Sequence, residues 1–516
     1  MSSTRLALSR RRFLSGAATL AAATLLPSSR ARGAVSDLDF ATALDAAHAI
    51  RRGDVSSVEL TTRVLDRIRQ HNPRINAVVT VDGDRALARA KAADEARARN
   101  EWWGPFHGVP CTVKDTFEVA GVRTTAGAPS LSNHVPARDA AVVARLRGAG
   151  AVILGKTNVP TWAADWQSRN EVFGVSNNPW DVSRTPGGST GGGAAALAAG
   201  LSYVEPGSDI GGSIRVPAHF CGVYGHKPTL GVVSLRGHIP PPPGIPAGTP
   251  TLPVAGPLAR SAADLLAALQ VLGGPDGDDA RAYRWTLPAP RGTRLADYRI
   301  GYVLDDPRCP VSSDVGDVLA QAVEALKKNG ARLEQGWPKG VTPAAQYDVY
   351  LFLLYSAFAF DVRDDRLDEL RRQAASTDVN YRTIQARAFS APHRDFMAAS
   401  GRRLAARAMW QEYFRTHDAF LMPTALVPAF PHDGAPMPAR VLTTSNGTRP
   451  YEDLLFWISF ATLTGLPATT APVGLTRDGL PVGIQIMGPW LEDATPIDVA
   501  GKLADVVGGF KAPKGF

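Results

Sequence analysis

The sequence predicts an α/β protein built from layers of helices and strands. Three observations carry that prediction. From Gly108 onward, short β-branched runs alternate with alanine-rich segments, the texture of strands and helices taking turns. With 516 residues and 45% apolar side chains, the chain can bury a large core. Aromatics at 8% and charged residues at 20% are the proportions of a folded domain. Length alone suggests two or three domains, yet no internal repeat is visible and no internal linker is long enough to separate them.

The N-terminus reads differently. Residues 1–33 hold six arginines and no acidic residue, so the +8 of the whole chain falls to about +2 without them. That leaves no broad nucleic-acid footprint. Ser9-Arg10-Arg11-Arg12-Phe13-Leu14 is similar to the twin-arginine export pattern; a short, weakly apolar stretch from Gly16 to Leu26 and the small residues of Ala31-Arg32-Gly33 follow it. The expectation is a signal peptide over residues 1–33 and a periplasmic or secreted mature chain over 34–516. The apolar stretch is too short to stay as a stable membrane anchor. Cys111, Cys221 and Cys309 are an odd number without metal-type spacing, and are expected as free, buried thiols.

Ala41 to Arg52 and Ser56 to His71 show helical spacing, with an N-cap in the turn Asp54-Val55-Ser56-Ser57 between them. Arg85 to Arg99 is a polar, alanine-rich helix. Val109 to Val113 reads as a strand, Asp139 to Gly148 as a helix and Ala151 to Leu154 as a strand. His238 to Pro257 reads as a Pro/Gly loop, too rich in proline for a sheet interior. A helix resumes over Ser261 to Leu272, and residues 345–415 form a long helical section. Its apolar run Tyr350 to Tyr355 reads as a buried stripe rather than a membrane-facing or substrate-facing surface. Strand texture returns from Pro467 to Gly488.

Two motifs are decoys. Gly150-Ala-Val-Ile-Leu-Gly155-Lys156-Thr157 satisfies the phosphate-loop pattern, but a helix precedes Gly150 and the interior is itself a strand, the wrong order for holding phosphate. Gly187-Gly188-Ser189-Thr190-Gly191 fits the nucleophile-elbow pattern but lacks the strand upstream, and His393, His417 and His432 sit in no distinctive context.

A third constellation holds together. Ser189 and Ser213 bracket a Gly/Ala helix of about eleven residues and a short strand. Helix out and strand back bring the two hydroxyls to one level. Lys114 ends the strand that begins near Val109, where burial disfavours its charged form and suits it to act as a general base. Asp115 points to the opposite face of that strand and is no obvious ion-pair partner for it.

Lys114, the block Thr185 to Gly200 and the block Gly207 to Ala218 together resemble the amidase signature family. Flanking matches run from about Ala41 to the C-terminus and are weakest between 280 and 400. The resemblance implies a single domain whose central, mostly mixed twisted β-sheet is covered by helices on both faces. It implies Ser213 as nucleophile, Ser189 as bridging serine after a cis peptide bond, and Lys114 as base. It places the oxyanion hole at the backbone N–H groups of Ile210, Gly211, Gly212 and Ser213, and implies that Thr190, Asp209 and Arg215 support the site. Thr190, Ser208 and Gly193 depart from the common pattern without removing a triad member.

The reaction implied is hydrolysis of a linear amide C–N bond through an acyl-enzyme on Ser213, giving an acid plus ammonia or an amine. No metal or organic cofactor is required. The expected partner is a small-molecule amide, with no nucleic acid, and the chain is expected to be a monomer or homodimer. Two alternatives stand beside the exported amidase: an amidotransferase component of the A type, and a non-enzymatic binding protein on the same scaffold.

Overall fold

Strands form where the β-branched and apolar runs fall, and among the described residues they assemble into an eight-stranded sheet, a three-stranded sheet and two small two-stranded pairs. The structure, a computed structural model, describes residues 38–245, 251–359, 362–378 and 380–516. The signal-like segment therefore lies outside the described residues. Two helices lead in. Ala43–Arg52 starts with Thr42 Oγ1 accepting from the Asp45 N–H, and Ser57–Ile75 starts with a reciprocal capping box between Ser56 and Glu59.

The smaller sheet orders its strands as Val78–Val81, Val152–Thr157 and Pro110–Lys114. The central strand runs antiparallel to the first and parallel to the last. The larger sheet has eight strands, in the order Arg332–Gln335, Arg299–Tyr302, Ala419–Pro423, Pro481–Met487, Ala468–Leu475, Tyr224–Lys227, Val254–Ala259 and Val204–Asp209. Its first three strands are mutually parallel and the remaining pairs antiparallel, so the sheet is mixed as expected. Two groups of helices pack on it: Ala262–Leu272, Ser313–Lys328 and Ala494–Val507, and separately Gly191–Ala198 with Arg215–Cys221.

The sheets meet where the site lies. Tyr203, just before the edge strand Val204–Asp209, donates its N–H to the Pro110 carbonyl at 3.3 Å, and the Thr112 N–H donates to Ser202 Oγ at 2.9 Å. The end of the Lys114 strand is thereby set beside Ser208 and Asp209. The helix after Ser189 is wedged against the same seam. A Cβ on Gly192 would stand 2.4 Å from the Asn158 nitrogen, and one on Gly193 would stand 2.5 Å from Glu205 Cγ. Glycine costs a helix about 1 kcal/mol per residue relative to alanine, and here that cost permits the close approach. Gly193, a departure from the family pattern, is explained by Glu205 filling the space above it.

Several expectations shift. The helix between the two serines is Gly191–Ala198, eight residues and not eleven; a turn through Gly200 makes up the difference before the strand returns. The proline-rich stretch ends sooner than read, because Val254–Ala259 is an interior strand that includes Pro257. Pro257 lies opposite Pro206, and pairing with Tyr224–Lys227 extends only to Leu258, so the N–H that Pro257 lacks is not required there. The helical section appears as Pro343–Ala357, Leu367–Ala374, Tyr381–Phe389 and His393–Tyr413. Tyr350, Leu351, Leu353 and Leu354 are buried as expected, but Leu354 and Tyr355 also face the cavity described below. All three cysteines are free and buried. Among the described residues, no helix is long and apolar enough to cross a membrane.

Candidate active site

Every residue of Pro110–Lys114 is buried, and Lys114 is fully inaccessible at the end of the strand. Its Nζ lies 2.7 Å from Ser189 Oγ, 2.9 Å from Ser208 Oγ and 3.4 Å from the Ser208 carbonyl. No carboxylate is within hydrogen-bond reach among the described residues. Asp115 does face away: it pairs at 3.1 Å with Lys156, whose ammonium also donates to the Phe117 carbonyl and Thr124 Oγ1. The lysine of the phosphate-loop decoy is thus tied into the core by Asp115, which opposes the downward pull of burial on its pKa. Burial pushes the Lys114 pKa down to about 7, against the weaker upward pull of Asp209 and Glu205. An amine in that range is available as a base near neutral pH.

The Gly188–Ser189 peptide is cis, as the resemblance implied. The next residue, Thr190, donates its N–H to the Ser213 carbonyl at 3.1 Å, so the two serine-bearing segments lie side by side. Among the described residues no hydrogen bond joins the two hydroxyls. Ser213, 7% exposed, opens onto a cavity of about 230 Å³.

The loop carrying Ser213 is held from below by Asp209. Its carboxylate accepts from the N–H groups of Gly212 and Ile214 and from two guanidinium nitrogens of Arg215, at 2.8–3.1 Å. Burial alone would raise the Asp209 pKa, but the charge and hydrogen bonds of Arg215 hold it below the usual carboxylate value. Arg215 is fully buried and also donates to the Ile458 carbonyl, Gln485 Oε1 and Thr462 Oγ1. It braces the loop and does not face the cavity.

One expected oxyanion donor is corrected. The Gly212 N–H points at Asp209 Oδ1 at 3.0 Å and is not free for a substrate oxygen. Ile210, Gly211 and Ser213 remain as candidates. Two residues to which the sequence reading gave no part in the site orient this loop. Tyr350 donates its hydroxyl to the Ile210 carbonyl at 2.9 Å, and Trp166 donates its indole N–H to the Gly211 carbonyl at 2.7 Å. In a trans peptide the N–H lies opposite the carbonyl, so Tyr350 fixes the direction of the Gly211 N–H. The spacing of Tyr350 within an apolar helical run signals burial only; nothing in it announces this bond.

Of the supporting residues, Thr190 is buried with Oγ1 3.5 Å from the Ser208 carbonyl, and its methyl packs over Gly207. His417 and His432 pair with Glu334 and Asn177, remote from the two serines. The histidine that does approach the site is His238, whose Nε2 lies 2.8 Å from Ser208 Oγ.

The family model described as Amidase matches residues 59–496. The chain belongs to the amidase family. It is an enzyme of amide C–N bonds. Curated relatives include the A component of the glutamyl-tRNA(Gln) amidotransferase of Prochlorococcus marinus (strain MIT 9313), 34% identical over 474 residues, covering 87% of this chain and 94% of that protein. A solved component of a vestigial protein complex, described as revealing the origins of an s-triazine catabolic enzyme, is 29% identical with a TM-score of 0.75, covering 91% of this chain and 99% of that one. The peptide amidase of Stenotrophomonas maltophilia is 28% identical with a TM-score of 0.71, over 92% of this chain and 98% of its own.

The geometry sets a pH dependence. Lys114 accepts a proton only when neutral, so kcat/KM for an amide rises with pH through about 7 and then levels. Lys114→Ala removes that rise and lowers the rate by at least about 100-fold; a pH–rate curve unchanged in the variant contradicts the assignment. Tyr350→Phe deletes one hydrogen bond and lowers kcat roughly three- to tenfold with little change in KM. An unaltered kcat shows that the Ile210 carbonyl needs no such anchor.

Proposed function

We propose that this amidase-family enzyme cleaves a carboxamide by acyl transfer to Ser213. Lys114 takes a proton from Ser189, and Ser189 takes one from Ser213 as its oxygen attacks the carbonyl carbon. The developing oxyanion is held by the N–H groups of Ile210, Gly211 and Ser213. The protons return through the same serine to the leaving nitrogen, ammonia or an amine departs, and water then releases the acid. The observation that carries this reading is the 2.7 Å contact between Lys114 Nζ and Ser189 Oγ, with no carboxylate in contact with that nitrogen among the described residues.

Two forms of this chemistry divide on substrate. The curated relatives named as the A component of an amidotransferase favour that role over the exported amidase expected from the sequence. The cavity favours the free-standing amidase. Its lining includes Trp166, Ile210, Leu354, Tyr355, Phe358 and Leu455. Asp165 and Glu452 supply carboxylates, and no lysine or arginine is among the lining residues. Such a surface suits a neutral apolar or aryl amide better than an amino acid carrying a free α-carboxylate. Export through residues 1–33 is likewise proposed, on the order of its arginine, apolar and small-residue segments.

A panel of amides assayed by ammonia or amine release separates the two forms. The free-standing form turns over apolar and aryl amides alone; the amidotransferase form releases ammonia from glutamine and does so faster when its partner proteins and charged tRNA are added. Ser213→Ala abolishes either activity while the fold persists, and retained turnover contradicts the mechanism. For export, residues 1–33 fused to a folded reporter carry it out of the cytoplasm, and replacing Arg10, Arg11 and Arg12 with lysine stops this. A reporter that stays inside with the arginines intact rules export out.

A further inference from the structure

Lys114 Nζ has three neighbours, and their hydrogen positions decide whether its lone pair reaches Ser189. Ser208 Oγ is the ambiguous one, since a hydroxyl either donates or accepts. If it donated to Lys114, it would occupy the lone pair that the base needs. The group that resolves the ambiguity stands behind it.

We infer that His238 is a positioning residue: by accepting the Ser208 hydroxyl proton it compels Ser208 to accept from Lys114, leaving the amine's lone pair for Ser189. The inference rests on the mechanism proposed above. His238 Nδ1 lies 3.0 Å from the Pro240 carbonyl, which only accepts, so Nδ1 carries the hydrogen. Burial, reinforced by the nearby Lys114, pushes the imidazole pKa down to about 3, so the ring is neutral and Nε2 is bare. Nε2, 2.8 Å from Ser208 Oγ, therefore accepts that hydroxyl's single proton. Ser208 then offers Lys114 lone pairs only, at 2.9 Å from its oxygen and 3.4 Å from its carbonyl. A neutral amine has two N–H bonds, which these two acceptors take. Its lone pair is left directed at the Ser189 hydroxyl, 2.7 Å away.

The histidine is placed by the same stretch of chain that carries the base. Just beyond Lys114, the Ile239 N–H donates to the Thr116 carbonyl at 2.7 Å and the Glu118 N–H to the Gly237 carbonyl at 2.9 Å. Phe117 meets the His238 ring edge-on, with centroids 5.0 Å apart. Base, hydroxyl and imidazole thus share one backbone frame.

Three measurements test this on the full chain. In wild-type protein with ¹⁵N-labelled histidine, the His238 signals are those of an Nδ1–H tautomer at neutral pH; an Nε2–H tautomer overturns the inference and needs no variant. The second is the rate at which a fluorophosphonate labels Ser213. His238→Phe keeps a ring against Phe117 but lacks the acceptor, and slows labelling and kcat by about tenfold or more at near-constant KM, while His238→Gln, whose amide oxygen accepts from Ser208, stays within about threefold of wild type. Wild-type labelling in the Phe variant, or an equal loss in the folded Gln variant, overturns the inference. Third, His238→Phe adds nothing in a Ser208→Ala background, whereas additive losses contradict coupling through that hydroxyl. A wild-type protein that no fluorophosphonate labels would instead count against the Ser213 mechanism, and the tautomer measurement stands apart from that outcome.

Discussion

Lys114 ends a wholly buried strand, and the groups that meet its nitrogen are two hydroxyls and one carbonyl. An ammonium in such a place has lost its hydration without gaining a counter-ion at contact, so the neutral form is favoured. Lys156, on the neighbouring strand of the same sheet, shows the other solution, with Asp115 in direct contact. Glu205 is close to both, fully buried, accepting from Thr112 and Thr157 at 2.5 Å each. Burial raises its own pKa to about 7, which weakens its pull on Lys114. The seam between the two sheets thus gives its lysines different partners: a carboxylate in direct contact for Lys156, hydroxyls and a carbonyl for Lys114.

The rest of the structure serves that arrangement by holding distant segments in register. The strand Val204–Asp209 belongs to the large sheet yet abuts the small one, so it presents Ser208 to Lys114 and Asp209 to the loop carrying Ser213. Asp209 and Arg215 fix that loop through its N–H groups and their own ion pair, while Trp166 and Tyr350 hold its carbonyls. Tyr350 comes from the helical section where the family resemblance is weakest. The helix that lines the cavity through Leu354 and Tyr355 thus also touches the backbone of the Ser213 loop through Tyr350.

The candidate triad was legible because its signals are local in sequence: Gly-rich blocks surround both serines, and the lysine closes an apolar strand. The alternation of strands and helices was legible from periodicity, and the turn Asp54 to Ser57 marked a capped helix start that the structure keeps at Ser56. What the sequence hid depends on pairing across space. Pro257 reads as a breaker until Pro206 is seen opposite it. Gly212 reads as an oxyanion donor until Asp209 is found to take its N–H. His238 sits in a proline-rich loop that looks like a connector, and only tertiary hydrogen bonds bring it behind Ser208. The cavity-facing part of the apolar run Tyr350 to Tyr355 was concealed because burial and cavity lining demand the same side chains.

The protonation state of one amine is the point on which everything turns, and it can be observed directly. Protein labelled with ¹⁵N at lysine Nζ, with the Lys114 signal assigned through a Lys114→Arg variant, is titrated by NMR. Lys114 loses its proton with a midpoint near pH 7, as its burial requires. A Lys114 signal that stays that of an ammonium up to the ordinary lysine range, about pH 10, contradicts the assignment of this residue as the base.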